Sequence, residues 1–143
     1  MPTQRRCRLF LVTFSVLTAF ATVTTPNSVQ ADEPRIFEQR IYIANDGKLD
    51  ALNSRFRDHT CKLFKKHGME LIGFWVPTEG DAAKNTLIYI LAYPNKEARE
   101  ASWKAFLADP EWKAAYKASV AEGRLVKEVK QTFMTPTDYS EIR

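Results

Sequence analysis

Cysteine is scarce in this 143-residue chain. Two residues, Cys7 and Cys61, cannot staple a fold. Histidine is as rare: His59 and His67 stand eight positions apart, two helical turns, too far to share one ion. With neither a Cys-x-x-Cys nor a His-x-x-x-His spacing present, no metal site is expected. No glycine-rich loop opens a helix after a strand, so the phosphate-cradling fingerprint is missing, and there is no serine nucleophile elbow. No cofactor is expected from these patterns.

Acidic residues are absent from the first 31 positions, and this decides how the net charge of +4 is understood. Arg5, Arg6 and Arg8 precede an uncharged apolar run from Leu9 to Val23, the order of an export signal. The run is shorter than the roughly 20 residues that span a membrane and is diluted by Thr13, Ser15, Thr18 and Thr22. Val29-Gln30-Ala31 is a small-x-small pattern, so cleavage is expected after Ala31, the alternative being an uncleaved amino-terminal anchor. Residues 1–31 are therefore assigned as a signal peptide and 32–143 as a single domain, exported to the periplasm or secreted. Removing the leader takes away three arginines, leaving 112 residues of net charge +1 and one thiol, Cys61, expected to be buried. No membrane span is expected in the mature chain. Without a sustained basic stripe, nucleic acid is disfavoured as a partner.

Turn signals divide the mature chain. Ile36 to Ala44 is rich in Ile, Phe and Tyr and stops at Asn45-Asp46-Gly47, which predicts a strand and a turn. Leu49, Leu52, Phe56, Thr60 and Leu63 recur three or four apart, predicting an amphipathic helix from Lys48 to His67 with Gly68 as its cap. Met69 to Val76 and Thr86 to Tyr93 predict two further strands joined by a loop. Asn95 begins a helical region that breaks at Asp109-Pro110-Glu111, an N-cap followed by a first-turn proline and an acid placed well for the helix dipole. A last strand is expected from about Val126 to Met134. The order β-α-β-β-α-β is that of a ferredoxin-like α+β fold, a four-stranded antiparallel sheet with helices on one face.

The strands are apolar on both faces. Leu87, Tyr89, Leu91 and Tyr93 alternate with Ile88, Ile90 and Ala92, while Leu71, Gly73 and Trp75 alternate with Ile72, Phe74 and Val76. A sheet with helices on one face alone should show polar residues on the other. A second copy of the chain is the simplest cover, so a homodimer is expected, the alternative being cover by the chain's own tail.

Four segments carry a family resemblance: Lys48-Leu49-Asp50, Lys66-His67-Gly68, Leu71-Ile72-Gly73-Phe74-Trp75, and Leu107-Ala108-Asp109-Pro110-Glu111-Trp112. Together they resemble a NIPSNAP domain across nearly all of the mature chain. The resemblance implies a dimeric α+β barrel made by two ferredoxin-like units, and little about activity.

Candidate site residues follow from the expected cleft between helices and sheet. His59 falls beside the helical stripe that faces the sheet, where it would act as a general base or a haem ligand, or serve as a structural histidine. Tyr89 is the accompanying catalytic candidate. Phe56, His59, Trp75, Tyr89, Trp103 and Trp112 are the candidates for lining the cleft, whether as a pocket or simply as core. His67, at the helix stop, is expected to favour the helix C-terminus. Two functions are thus expected: a dimer binding a small apolar or aromatic ligand or a protein partner, or a cofactor-independent oxygenase or isomerase acting on an aromatic substrate. Haem binding is a variant of the second.

Overall fold

The computed structural model describes residues 35–142, so the expected leader lies outside the described residues. β1 (Ile36–Ala44) ends where Asn45-Asp46-Gly47 turns the chain, Gly47 taking a φ of +68° that a side chain would resist. The predicted first helix forms as α1 (Leu49–Arg55), a π-helical segment (Phe56–Thr60) and α2 (Cys61–Lys66). Gly68, at φ +77°, closes it: the Met69 amide donates to the Phe64 carbonyl and the Gly68 amide to that of Lys65. These two bonds satisfy carbonyls that the helix end would leave bare.

β2 (Glu70–Trp75) leads into a loop containing one turn of helix, α3 (Ala82–Asn85), that the sequence did not announce. After β3 (Thr86–Tyr93), the Asn95 side chain accepts from the Ala98 amide at 2.8 Å and starts α4 (Lys96–Ala108). Asp109 caps α5 (Pro110–Ser119) by accepting from the Glu111 amide at 2.7 Å, so the break between the helices is where the sequence punctuates it. β4 (Val126–Met134) completes the chain's regular structure.

The strands lie in the order β2-β3-β1-β4 with every neighbouring pair antiparallel, and the helices gather on one face. This is the ferredoxin-like α+β arrangement. Leu87, Tyr89, Leu91 and Tyr93 point into the helices with Leu52, Phe56, Leu63, Phe64 and Phe106, and all are buried. Burial of each such side chain stabilises the fold by about 1.5–3 kcal/mol.

One expected alternation fails. A bulge between Leu71 and Gly73 inserts a residue into β2, so Leu71 and Phe74 both pack towards the helices while Trp75 turns away. Trp75 is 49% exposed and folds back over Gly73, where a Cβ would stand 2.5 Å from the indole. Among the described residues no helix is long and apolar enough to cross a membrane.

Candidate ligand cleft

β1 carries two charges on the side that faces the helices. Its register with β3 sets Glu38 beside Leu91 and Arg40 beside Tyr89, both opposite buried residues. Glu38 is wholly buried and fully engaged. Its Oε2 accepts from Arg99 Nε (3.0 Å), Trp103 Nε1 (3.0 Å) and the Tyr93 hydroxyl (3.1 Å), and its Oε1 from Arg99 Nη2 (2.9 Å) and Arg40 Nη1 (2.7 Å). Burial alone would raise this carboxyl, but the bonds from Arg99, Arg40 and Trp103 outweigh it and hold the group below the usual glutamate range. Burial and the Glu38 carboxylate together push the Tyr93 hydroxyl up, so it remains a proton donor.

Above this network a cavity of about 520 Å³ opens between the π-helical segment, α4, α5 and the start of β4. Tyr42, Phe56, Trp103, Phe106 and Trp112 give it aromatic walls. Trp112 packs on Phe106 with ring centroids 4.4 Å apart, and Arg40 stacks on Trp103 at 4.5 Å. Arg40, Arg55, Arg99, Arg124 and Lys127 line the same space, against one acid, Glu128, among the described residues.

Arg55 differs from the other buried cations. It has no carboxylate partner among the described residues: its guanidinium sits 5.5 Å from each of the Trp112 and Tyr116 ring centroids and donates to Ser119 Oγ at 3.2 Å, and its buried Nε, like that of Arg40, has no acceptor. Burial draws this group below the usual arginine range. The π-helical segment begins immediately after it, with the Cys61 amide reaching five residues back to the Phe56 carbonyl and Thr60 Oγ1 donating to the Arg55 carbonyl at 3.2 Å.

Of the expected cleft residues, Phe56, Trp103 and Trp112 line the cavity together. His59 does not: it is exposed on the outer side of the π-helical segment. A π-turn rotates each residue by less than the about 100° of an α-helix, which delivers Thr60 to the core and leaves His59 outside it. Trp75 is likewise removed, by the β2 bulge, to a shallower groove of about 390 Å³ shared with Cys61 and Phe74. Tyr89 is sealed in the core with Phe74 stacked on it at 5.4 Å. Its hydroxyl lacks a hydrogen bond of good geometry, and burial beside Tyr42 raises its ionisation well above the usual range. Cys61 is a free thiol and only half-buried, which is still enough to raise its ionisation. His67 caps α2, and its Nε2 lies 2.7 Å from Asp109 Oδ2, outside the cleft.

The sequence reading missed Glu38, Arg40, Arg55 and Arg99. A signal existed for the first two, since they occupy the parity of β1 shared with Ile36, Tyr42 and Ala44. Arg55 follows Leu52 by three residues and so flanks the apolar stripe.

The fold and cleft define a ferredoxin-like α+β protein with a ligand-sized cavity under its helices. The chain belongs to the NIPSNAP family, whose model matches residues 37–141. Among solved structures it is similar to a NIPSNAP family protein with unknown function from Agrobacterium tumefaciens, at 22% identity over 77% of this chain and 95% of that one, with a TM-score of 0.67. An uncharacterized NIPSNAP-like domain protein from Burkholderia xenovorans gives 21% identity over 74% and 88%, with a TM-score of 0.65. SnoaB, a cofactor-independent oxygenase from Streptomyces nogalater, shares the fold at 15% identity over 74% and 96%, with a TM-score of 0.50. No curated protein matches the chain in sequence.

Proposed function

We propose that this NIPSNAP-family chain is an exported homodimer that binds a small aromatic or apolar molecule in the cleft between its helices and sheet. The observation that carries the binding is the cavity itself: about 520 Å³, concave, walled by aromatic rings and furnished with a few polar groups. Those are the size and chemistry of a small-molecule site and not of a protein-docking face. Titration with 2-naphthylmethanol tests it through the tryptophan emission of Trp103 and Trp112. Saturable quenching weakened about tenfold or more in Trp112→Ala is expected. Absence of saturable binding by this alcohol and by its carboxylate counterpart overturns the reading.

The homodimer rests on the sheet's second face, where Ile41, Ile43, Ile88 and Ile90 are half-buried and Trp75 is exposed. Export rests on the basic opening and apolar run of residues 1–31. Sequencing of the exported chain should begin at Asp32, and recovery of the intact leader in the membrane fraction would contradict it.

Oxygenase chemistry belongs to SnoaB, and the geometry here favours binding over its transfer. The base expected for such a reaction, His59, stands outside the cleft, and Tyr89 is closed off beneath it. A haem held by His59 within the cleft does not fit that placement. His59→Ala should leave 2-naphthylmethanol affinity unchanged and stability within about 0.5 kcal/mol of the parent.

A further inference from the structure

We infer that the cleft is built for an organic anion, a flat aromatic carboxylate, with the Arg55 guanidinium as its counter-ion. The inference rests on the ligand-cleft reading above and names the ligand's charge.

Three buried or half-buried arginines face this cavity, and two of them share one carboxylate. Arg40 and Arg99 are ion-paired to Glu38 at 2.7 and 2.9 Å. Arg55 is 6% exposed and has no carboxylate partner among the described residues. A guanidinium carries five donors in a planar fork; in Arg55 one nitrogen bonds Ser119 and the buried Nε meets no acceptor, a lack shared by Arg40, whose Nη1 nevertheless reaches the Glu38 carboxylate. A buried cation without a counter-ion is a costly arrangement, tolerated where something else supplies the charge. The rings of Trp112 and Tyr116 offset part of that cost through their faces, but they accept no hydrogen bond of carboxylate strength.

The surroundings select the anion's class. Arg124 and Lys127 add positive charge to the cavity wall, which favours entry of an anion. A bare inorganic anion would leave the aromatic walls wet, whereas a ring attached to a carboxylate stacks against them while its two oxygens meet the planar fork. Lysine in place of Arg55 would keep the charge and lose the fork.

Calorimetric titration of the exported, mature chain with 2-naphthoate, 2-naphthylmethanol and inorganic phosphate separates the possibilities. We expect 2-naphthoate to bind about tenfold or more tightly than the alcohol. Arg55→Met should erase that preference, bringing the ratio of naphthoate to alcohol affinity to about one whatever its effect on both, and Arg55→Lys should restore part of it. Equal binding of naphthoate and alcohol by the parent overturns the anion assignment and leaves the cleft reading standing. Binding of neither removes both. Phosphate binding as tightly as naphthoate overturns the aromatic class, and a preference that survives in a folded Arg55→Met overturns Arg55 as the anchor. The parent chain supplies a readout independent of any variant: the Arg55 Nε–H nitrogen-15 resonance should move with naphthoate and stay in place with the alcohol.

Discussion

Arg99 grips Glu38 with both prongs of its fork, Nε to Oε2 at 3.0 Å and Nη2 to Oε1 at 2.9 Å, and so ties α4 to the middle of β1. The carboxylate is wholly buried and Arg40 holds it from the strand side. Removing it leaves two guanidinium groups facing each other's charge. Glu38→Ala should therefore cost about 3–5 kcal/mol in urea unfolding, and Glu38→Gln less, since the amide oxygen still accepts. Burial pushes Glu38 up, but the bonds from Arg99 and Arg40 bring its folded value below the ordinary 4.5. The pair's contribution is then complete above that ordinary value and declines as pH falls through the lower folded one. Stability measured from pH 6 downward should drop more steeply in the parent than in Glu38→Gln.

Phe64 is the hub of the ring cluster between helices and sheet. Its centroid lies 4.8 Å from that of Phe106, 5.5 Å from Trp103, 6.1 Å from Tyr89 and 6.2 Å from Phe56. Rings on so many sides cannot all collapse into a vacated space. Phe64→Ala should lose about 3–5 kcal/mol, and Phe64→Leu, which retains most of the volume, distinctly less. An unchanged denaturant slope would show that the loss is one of packing and not of denatured-state compactness.

The strands and caps were legible because each rests on a local rule: Gly47 and Gly68 take positive φ, and Asn95 and Asp109 bond the amides just beyond them. The cleft's charge was not. Arginine in a sequence reads as solvated surface; the strand parity of Arg40 hinted otherwise, and the register that sets it beside Tyr89 shows it turned inward. His59 and Trp75 were misplaced for a related reason. A single inserted residue reverses the side a residue faces in the β2 bulge and turns the helix face by about 100° in the π-helical segment, and composition carries no mark of either insertion.

Asp109 joins the end of α2 to the start of α5. One oxygen accepts from the Glu111 amide, and the other receives Lys66 Nζ and His67 Nε2, each at 2.7 Å. The Lys66 ammonium first, then His67, hold its carboxyl far below the usual aspartate range. Asp109→Ala removes cap and partners together, whereas Asp109→Asn keeps the cap and loses the charge. The midpoint of thermal unfolding should fall in that order, Ala below Asn below parent. Since the folded value is the depressed one, the charge's contribution persists above the ordinary aspartate range and fades only in stronger acid. The gap between parent and Asp109→Asn should therefore close as pH falls below the ordinary aspartate range.

Ile90 lies between Tyr89 and Leu91 in β3, and because those two point into the helices it points to the sheet's other face. In the proposed dimer that face meets its own copy, so one substitution acts twice across a two-fold interface. A glutamate there would bring two carboxylates into a contact whose centre is apolar. Ile90→Glu should raise the dimer dissociation constant by about a hundredfold or more, while far-UV dichroism keeps the parent's helix and strand signature. Sedimentation equilibrium reads the outcome directly: the parent at twice the mass of one mature chain, the variant at once. A parent that sediments as a single chain at micromolar concentration would mean that the paired-sheet dimer does not form there.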